Sequence, residues 1–252
     1  MPAPTVTAMM LVRDRADLLA QAAQSVLAQT RGDFELVILD DGSTDATWSV
    51  AEALAAGDDR VRLLRNERSV GIPAARNQVI AAARGRYLAT CDSDDVSRPE
   101  RFAQQVALLD DSPHVVGVGG RIALFVGDTP DEGSAEPDWH WGLRDGRLPF
   151  AFPGAMLRLD AVRAVGGFDT GFAVAEGLQL SYRLAGVGGA FAAVDAVVLD
   201  YRVHAGSITA RRAVTREWCT PRAQLRGVRE LRGRLSARGY AVIVQSAARV
   251  VL

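Results

Sequence analysis

The sequence contains no lysine, so all 29 of its Lys/Arg cations are arginines. In a chain this rich in alanine, that reflects a GC-rich coding genome rather than a function. Cysteine is nearly absent too. Cys91 ends an apolar segment and Cys219 lies in the C-terminal part, which excludes a disulfide framework and points to a reduced compartment. No run of about 18 apolar residues is present, which argues against a membrane-spanning helix. The N-terminus lacks a charged region followed by an apolar core and a cleavage site, the pattern of a signal peptide. Net charge is only −1, so the chain as a whole does not attract nucleic acid or an anionic membrane. There is no internal repeat and no low-complexity segment. Glycine is missing from "LVRDRADL", the turn after the first strand candidate. That absence argues against a dinucleotide-dependent dehydrogenase, whose pyrophosphate must approach a glycine-rich turn. It also argues against a nucleotidyltransferase with a basic glycine-rich loop at that place.

What remains is an ordinary globular composition, 48% hydrophobic and 23% charged, over 252 residues. At about 150 residues per domain this is one large domain or slightly more. Charge is unevenly spread. Residues 207–252 hold ten arginines and two glutamates, a local balance of +8, against −9 for residues 1–206. The segment reads as an Arg-rich helical extension, either a solvated face or a contact for an acidic partner or a membrane surface. Nucleic-acid binding is not expected from it, because few aromatics are interleaved. The expected location is cytoplasmic, with peripheral contact at the inner membrane face allowed for and a homodimer left open.

Along the chain, "TVTAMML", "FELVILD", "RVRLLRN" and "RYLAT" read as strands. "RADLLAQAAQSVLAQ", "DGSTDATWSVAEALAA" and "VGIPAARNQVIAAARG" read as the helices between them, the last with Pro73 near its start and Gly85 past its end. Such alternation predicts an α/β, Rossmann-like, mostly parallel sheet flanked by helices. Ligands bind such sheets beyond the C-terminal strand ends, where 12–14, 40–45 and 92–95 fall. After residue 113 the order changes. "HVVGVGGRIALFV" reads as paired strands, 127–137 as a loop closed by "WHW", 175–184 as a helix and "AVVLDYRVH" as the last core segment.

The chemistry concentrates in "YLATCDSDDVSRPERF", with three aspartates in four positions. A turn of that kind either binds a cation or caps the helix that follows. Mg²⁺ and Mn²⁺ take oxygen ligands, so Asp92 and Asp94 suit such an ion in type and spacing.

Four ordered stretches, "AQSVLAQTRGDFELVILDDGSTDAT", "RNERSVGIPAARNQVIAAARGRYLATCDSDD", "VGGFD" and "DYRVHAGSIT", together resemble glycosyltransferase family 2, whose members are inverting enzymes of the GT-A fold. The resemblance covers about residues 6–209. It implies a GT-A domain over 1–206, with 1–112 the nucleotide-sugar donor half and 113–206 the acceptor half, and the helical extension over 207–252. It implies metal-dependent sugar transfer from a nucleotide-diphosphate donor, a UDP-sugar first among them, to a hydroxyl or amine of a small-molecule, saccharide or lipid-linked acceptor. Mn²⁺ or Mg²⁺ would be held by Asp92, Asp94 and His204. Val12, Asp14, Asp40, Asp41, Arg76, Asp92 and Asp94 would contact the nucleotide or diphosphate. Asp95 would orient the turn or cap the next helix, and Trp139 and Trp141 would line the acceptor site.

The pattern departs from the family at "AEGLQLSYRLA". The family has Glu-Asp-x-Asp there, its first Asp being the general base. Here Glu176 matches the Glu, Gly177 stands where the base belongs, and Gln179 replaces the second Asp. Glu176 is therefore the expected substitute base, and Asp94 the other catalytic side chain. Asp169 or an acceptor that needs no base would be alternatives. The rival reading is a catalytically degenerate nucleotide-sugar-binding protein of the same fold.

Overall fold

The strands Val6–Val12 (β1), Phe34–Asp41 (β2), Val61–Asn66 (β3) and Tyr87–Asp92 (β4) run parallel in the computed structural model. The structure describes residues 3–130, 150–173 and 175–204, together with Ala223, Arg226, Gly227 and Glu230. Helices Leu19–Leu27 (α1), Thr47–Gly57 (α2) and Ile72–Ala82 (α3) connect the four strands. All eight residues of β2 are buried. Successive residues serve opposite faces, as the two-residue strand period requires. Ala8, Met10 and Val12 pack in one apolar cluster with α1, whereas Met9 and Leu11 join the other with α3. A sheet covered on both faces explains the near-continuous apolar runs that marked these strands in the sequence.

With Val96–Ser97 as β5, Val115–Phe125 as β6, Met156–Arg158 as β7 and Ala190–Arg202 as β8, the sheet order is β3-β2-β1-β4-β7-β6-β8-β5 among the described residues. The chain leaves β1 outward to β2 and β3, then returns to β4 on the other side of β1. This reversal opens a crevice beyond the strand ends. Along the chain beyond β4 lie β5, the helix Arg101–Asp111 (α4), β6, β7, the helices Leu159–Ala164 (α5) and Glu176–Gly186 (α6), and β8. β7 is antiparallel to β4 and β6, and β6 runs parallel to β8. One sheet thus runs through the boundary expected near residue 113. The result is a mixed sheet with helices on both sides, as expected.

Two expectations change. "HVVGVGGRIALFV" is one strand, β6, and not a pair. The first helix begins at Leu19 and not near Arg15, because residues 14–16 are drawn into the next loop. The Arg15 amide donates to Thr47 Oγ1 at 2.8 Å and the Ala16 amide to Asp45. Among the described residues no helix is long and apolar enough to cross a membrane. Trp139, Trp141, the 131–137 part of the expected loop, and nearly all of 207–252 lie outside the described residues.

Candidate active site

The register brings three strand ends level: Val12 of β1 lies opposite Asp40 of β2, and Leu11 lies opposite Asp92 of β4. Asp14 follows at a positive φ of 51° and ties the first two loops together. Its Oδ1 accepts from the Thr44 amide at 2.8 Å, and its own amide donates to Ser43 Oγ at 3.0 Å. Asp40 is fully buried; its Oδ1 accepts from the Ser43 amide, and Arg65 stands 3.6 Å from Oδ2. Asp41 accepts from Asn66, Ser69 and the amides of Val70 and Gly71. Burial works to raise its pKa, but those hydrogen bonds outweigh it and hold the carboxyl below its ordinary value. Its carboxylate therefore fixes the loop into α3. Gly42 permits this approach. Its φ is +76°, and a Cβ there would come within 2.8 Å of the Ser69 nitrogen.

Asp92, Asp94 and Asp95 gather on the turn between β4 and β5, with one carboxylate oxygen of each within 4.8 Å of the others. The turn is fixed from β8. The Arg202 amide donates to Asp95 Oδ1 at 2.9 Å, and Arg202 Nε donates to the Asp94 carbonyl at 2.8 Å. His204 Nε2 lies 3.0 Å from Asp94 Oδ2. Asp95 Oδ2 is buried with no hydrogen-bond partner among the described residues. Burial, then the charges of Asp92 and Asp94, pushes Asp95 well above the usual carboxylate range. Burial also pushes Asp92 up to about 6 against the pull of Arg76, with Asp94 and Glu176 adding to the rise. The Asp92 side chain keeps one side open, at 38% exposure, so solvent tempers that effect. Crowded carboxylates, an orphaned buried oxygen and an imidazole at the rim fit a hard divalent cation in donor type.

The helix-cap reading of this turn finds no support among the hydrogen bonds. The residue before α4, Glu100, makes no side-chain capping bond, and Asp95 bonds β8 instead. Beneath the turn lies Arg101, fully buried, donating to the carbonyls of Thr90 and Ala155 and to Ser97 Oγ.

Arg76 of α3 joins the cluster to the second expected catalytic group. Its Nη1 donates to Glu176 Oε1 at 2.6 Å and its Nη2 stands 3.7 Å from Asp92 Oδ1. Its guanidinium lies 5.1 Å from the Phe168 ring centre and 5.5 Å from that of Phe152. Glu176 opens α6 immediately after Ala175, whose φ is +65°. Gly177 is no vacant place for a base: a Cβ there would meet Phe152 ring atoms at 2.6–2.8 Å. Gln179 is buried and accepts from Arg183 Nε. Asp169 pairs with Arg226 at 2.8 Å and accepts from the Gly171 amide.

The structure thus brings together Arg76, Asp92, Asp94, Glu176 and His204, with Val12, Asp14, Asp40 and Asp41 along the same edge. The sequence reading did not single out Phe152, Phe168, Arg101 or Arg202. Arg202 sits inside the quoted "DYRVH", where a cation two residues before His204 was the available signal.

Comparison with known proteins bears on this arrangement. The sequence model of "Glycosyl transferase family 2" matches residues 7–162, more than half of the chain. The succinoglycan biosynthesis protein ExoO of Rhizobium meliloti (strain 1021) is 39% identical over 126 residues, 47% of this chain and 36% of its own length. The chain likewise spans less than two thirds of the other curated relatives compared. Among solved structures, the mannosyltransferase PcManGT from Pyrobaculum calidifontis, in complex with GDP-Man and Mn²⁺, superposes with a TM-score of 0.73 at 19% identity, covering 98% of this chain and 74% of that one. S. aureus TarS 1-349, in complex with UDP-GlcNAc, gives 0.72 at 16% identity, covering 98% and 71%.

Proposed function

This chain belongs to glycosyl transferase family 2, and from that premise we propose that it moves a sugar from a nucleotide-diphosphate donor to an acceptor hydroxyl or amine, with inversion and with the help of Mn²⁺ or Mg²⁺. The observation that carries the reading is the gathering of Asp92, Asp94 and Asp95 with His204 at the strand ends, one buried oxygen of Asp95 lacking a partner. That the similar folds of PcManGT and TarS were solved with GDP-Man and Mn²⁺ and with UDP-GlcNAc supports the same class of donor, a UDP-sugar first.

Asp92, Asp94 and His204 would hold the cation, which when bound offsets the negative charge that builds on the departing diphosphate. Val12, Asp14 and Asp40 line the edge proposed for the base and ribose, and Arg76 would reach the diphosphate with a fork suited to such oxygens. Asp41 would serve that edge by fixing the loop. On the opposite side Glu176 would take the acceptor proton as the acceptor oxygen bonds to the anomeric carbon and the bond to the diphosphate breaks. Residues 1–112 would then bind the donor and 113–206 the acceptor.

The test is release of nucleoside diphosphate from each common nucleotide-sugar with Mn²⁺, for the native protein and for Asp94→Ala and Glu176→Gln. Metal-dependent release is expected. Asp94→Ala should lose metal-dependent donor binding, and Glu176→Gln should slow release by about 10²–10⁴-fold, the usual contribution of a general base. Metal-dependent binding with no release from any donor, acceptors included, would overturn the enzyme reading in favour of a nucleotide-sugar binder.

A further inference from the structure

Glu176, as the structure holds it, is paired with Arg76. Its Oε1 is occupied by Arg76 Nη1 at 2.6 Å, and the pair is largely shielded, at 9% and 13% side-chain exposure. A hydrogen bond between two charged groups at that distance is of the stronger kind and occupies that carboxylate oxygen. The same guanidinium also faces Asp92, whose Oδ1 is 3.7 Å from Nη2. One cation thus stands between the acid cluster and the base, sharing its charge between them.

We propose that Arg76 is a latch on Glu176 that the donor's diphosphate opens, so that the base is released only once the donor is in place. The inference rests on the donor and base assignments above. A diphosphate lying against the acid cluster offers Arg76 several charged oxygens, against the single carboxylate oxygen it now holds. The rings of Phe152 and Phe168, 5.5 Å and 5.1 Å from the guanidinium, keep it between the two sites, so that it swings rather than leaves. Glu176 is positioned from outside its own helix. The preceding Ala175 adopts a left-handed conformation rare for a side-chain-bearing residue, and no side chain caps the start of α6. Once Arg76 turns to the diphosphate, Glu176 Oε1 is freed of its cation and open to another donor. Donor must then bind before the acceptor is deprotonated.

The latch predicts competition: Glu176 and the diphosphate cannot both hold Arg76. Isothermal titration of the full chain with UDP, and with GDP, in the presence of Mg²⁺ tests this in four proteins, the native one, Glu176→Gln, Arg76→Met and the double variant. Glu176→Gln keeps the side-chain shape and should bind nucleotide about tenfold tighter, the worth of one hydrogen bond to a charged group. Arg76→Met should bind at least about tenfold more weakly, and adding Glu176→Gln to it should change affinity by less than about twofold. Equal affinity of Glu176→Gln and the native protein overturns the latch. So does the same gain with Arg76 removed, which would mark a long-range charge effect. Failure of both nucleotides to bind the native protein overturns the donor reading and the latch together, whereas binding with a flat cycle overturns the latch alone.

Discussion

Adding a single methyl group at Gly177 tests whether Phe152 has taken the space of the missing base. The ring atoms Cγ, Cδ2 and Cδ1 of Phe152 would lie 2.6, 2.7 and 2.8 Å from the new Cβ. Carbon atoms sit comfortably at about 3.5–4.0 Å, so the overlap is about 1 Å. Phe152 has little room to retreat, being 7% exposed, edge-on to Phe168 at 6.0 Å and covered by Arg76. Overpacking of this kind costs about 1–3 kcal/mol. Replacing glycine by alanine inside a helix returns up to about 1 kcal/mol. The expected net effect of Gly177→Ala is a loss of up to about 2 kcal/mol. In a Phe152→Ala background, itself weakened by about 3–5 kcal/mol, the clash is gone and the same change should stabilise by up to about 1 kcal/mol. Urea unfolding followed by circular dichroism reads both legs, with Phe152→Leu as a milder background. The reasoning fails if Gly177→Ala stabilises the native protein, or if its effect is the same with and without the ring. A correct outcome carries a corollary: Gly177→Asp alone cannot restore a base at this position.

Other perturbations reach the rest of the site. Asp41→Ala strips four hydrogen bonds from the partly exposed β3–α3 loop, whose donors can turn to water, so a loss of about 1–2 kcal/mol is expected in chemical unfolding. The Asp41 pKa is lowered on folding, so its contribution is present above the unfolded value of 3.8 and lost as pH falls through the folded one. Asp92 and Asp95 behave oppositely. Their raised pKa values favour the metal-free fold at low pH, and that stabilisation fades as pH rises from 3.8 through the folded values, about 6 for Asp92. Mg²⁺ should therefore raise the melting temperature near neutral pH and have little effect below about pH 5, a difference that scanning calorimetry resolves. Arg101→Met removes the buried cation and leaves the Thr90 and Ala155 carbonyls without it; a loss of about 3–5 kcal/mol in urea unfolding is expected.

The first four strands and the helices between them were readable because their signals are local. Continuous apolar strands, Pro73 at the start of α3 and acidic turns at strand ends each act within a few residues, and the structure places them on one edge. Beyond residue 113 the same reading took the stretch of β6, which holds Gly119 and Gly120, for paired strands. Those glycines are places of close approach: a Cβ on Gly119 would run into Phe150 at 2.3 Å, and one on Gly120 into Val198 at 2.5 Å. Glycine in a strand signals a bend or a close approach, and only the partners tell which. The site divides along the same line. Asp92, Asp94 and His204 were nameable from their motifs. The pairing of Arg76 with Glu176 spans 100 positions, and the filling of the space at Gly177 by Phe152 depends on a packing contact with no periodicity to reveal it.

The arginines around the acid cluster show how its carboxylates come to be free. A guanidinium beside a carboxylate ordinarily binds it through two parallel hydrogen bonds. Here Arg101 donates to the carbonyls of Thr90 and Ala155, and Arg202 to those of Asp94 and Gly127. Both guanidinium groups grip backbone carbonyls and not the carboxylates of the turn, while the Arg202 backbone amide donates to Asp95 Oδ1. Arg76, which does reach Asp92, stands 3.7 Å away with its shorter contact made to Glu176. Positive charge is therefore near enough to ease the crowding of Asp92, Asp94 and Asp95, yet it does not occupy the oxygens that face the crevice. Had structural stability alone been the outcome, a direct Arg–Asp fork would have neutralised Asp95 Oδ2, which has no partner among the described residues. The turn is thus held largely through its carbonyls while the side chains of Asp92 and Asp94 stay partly exposed, which is what the proposed cation site would require.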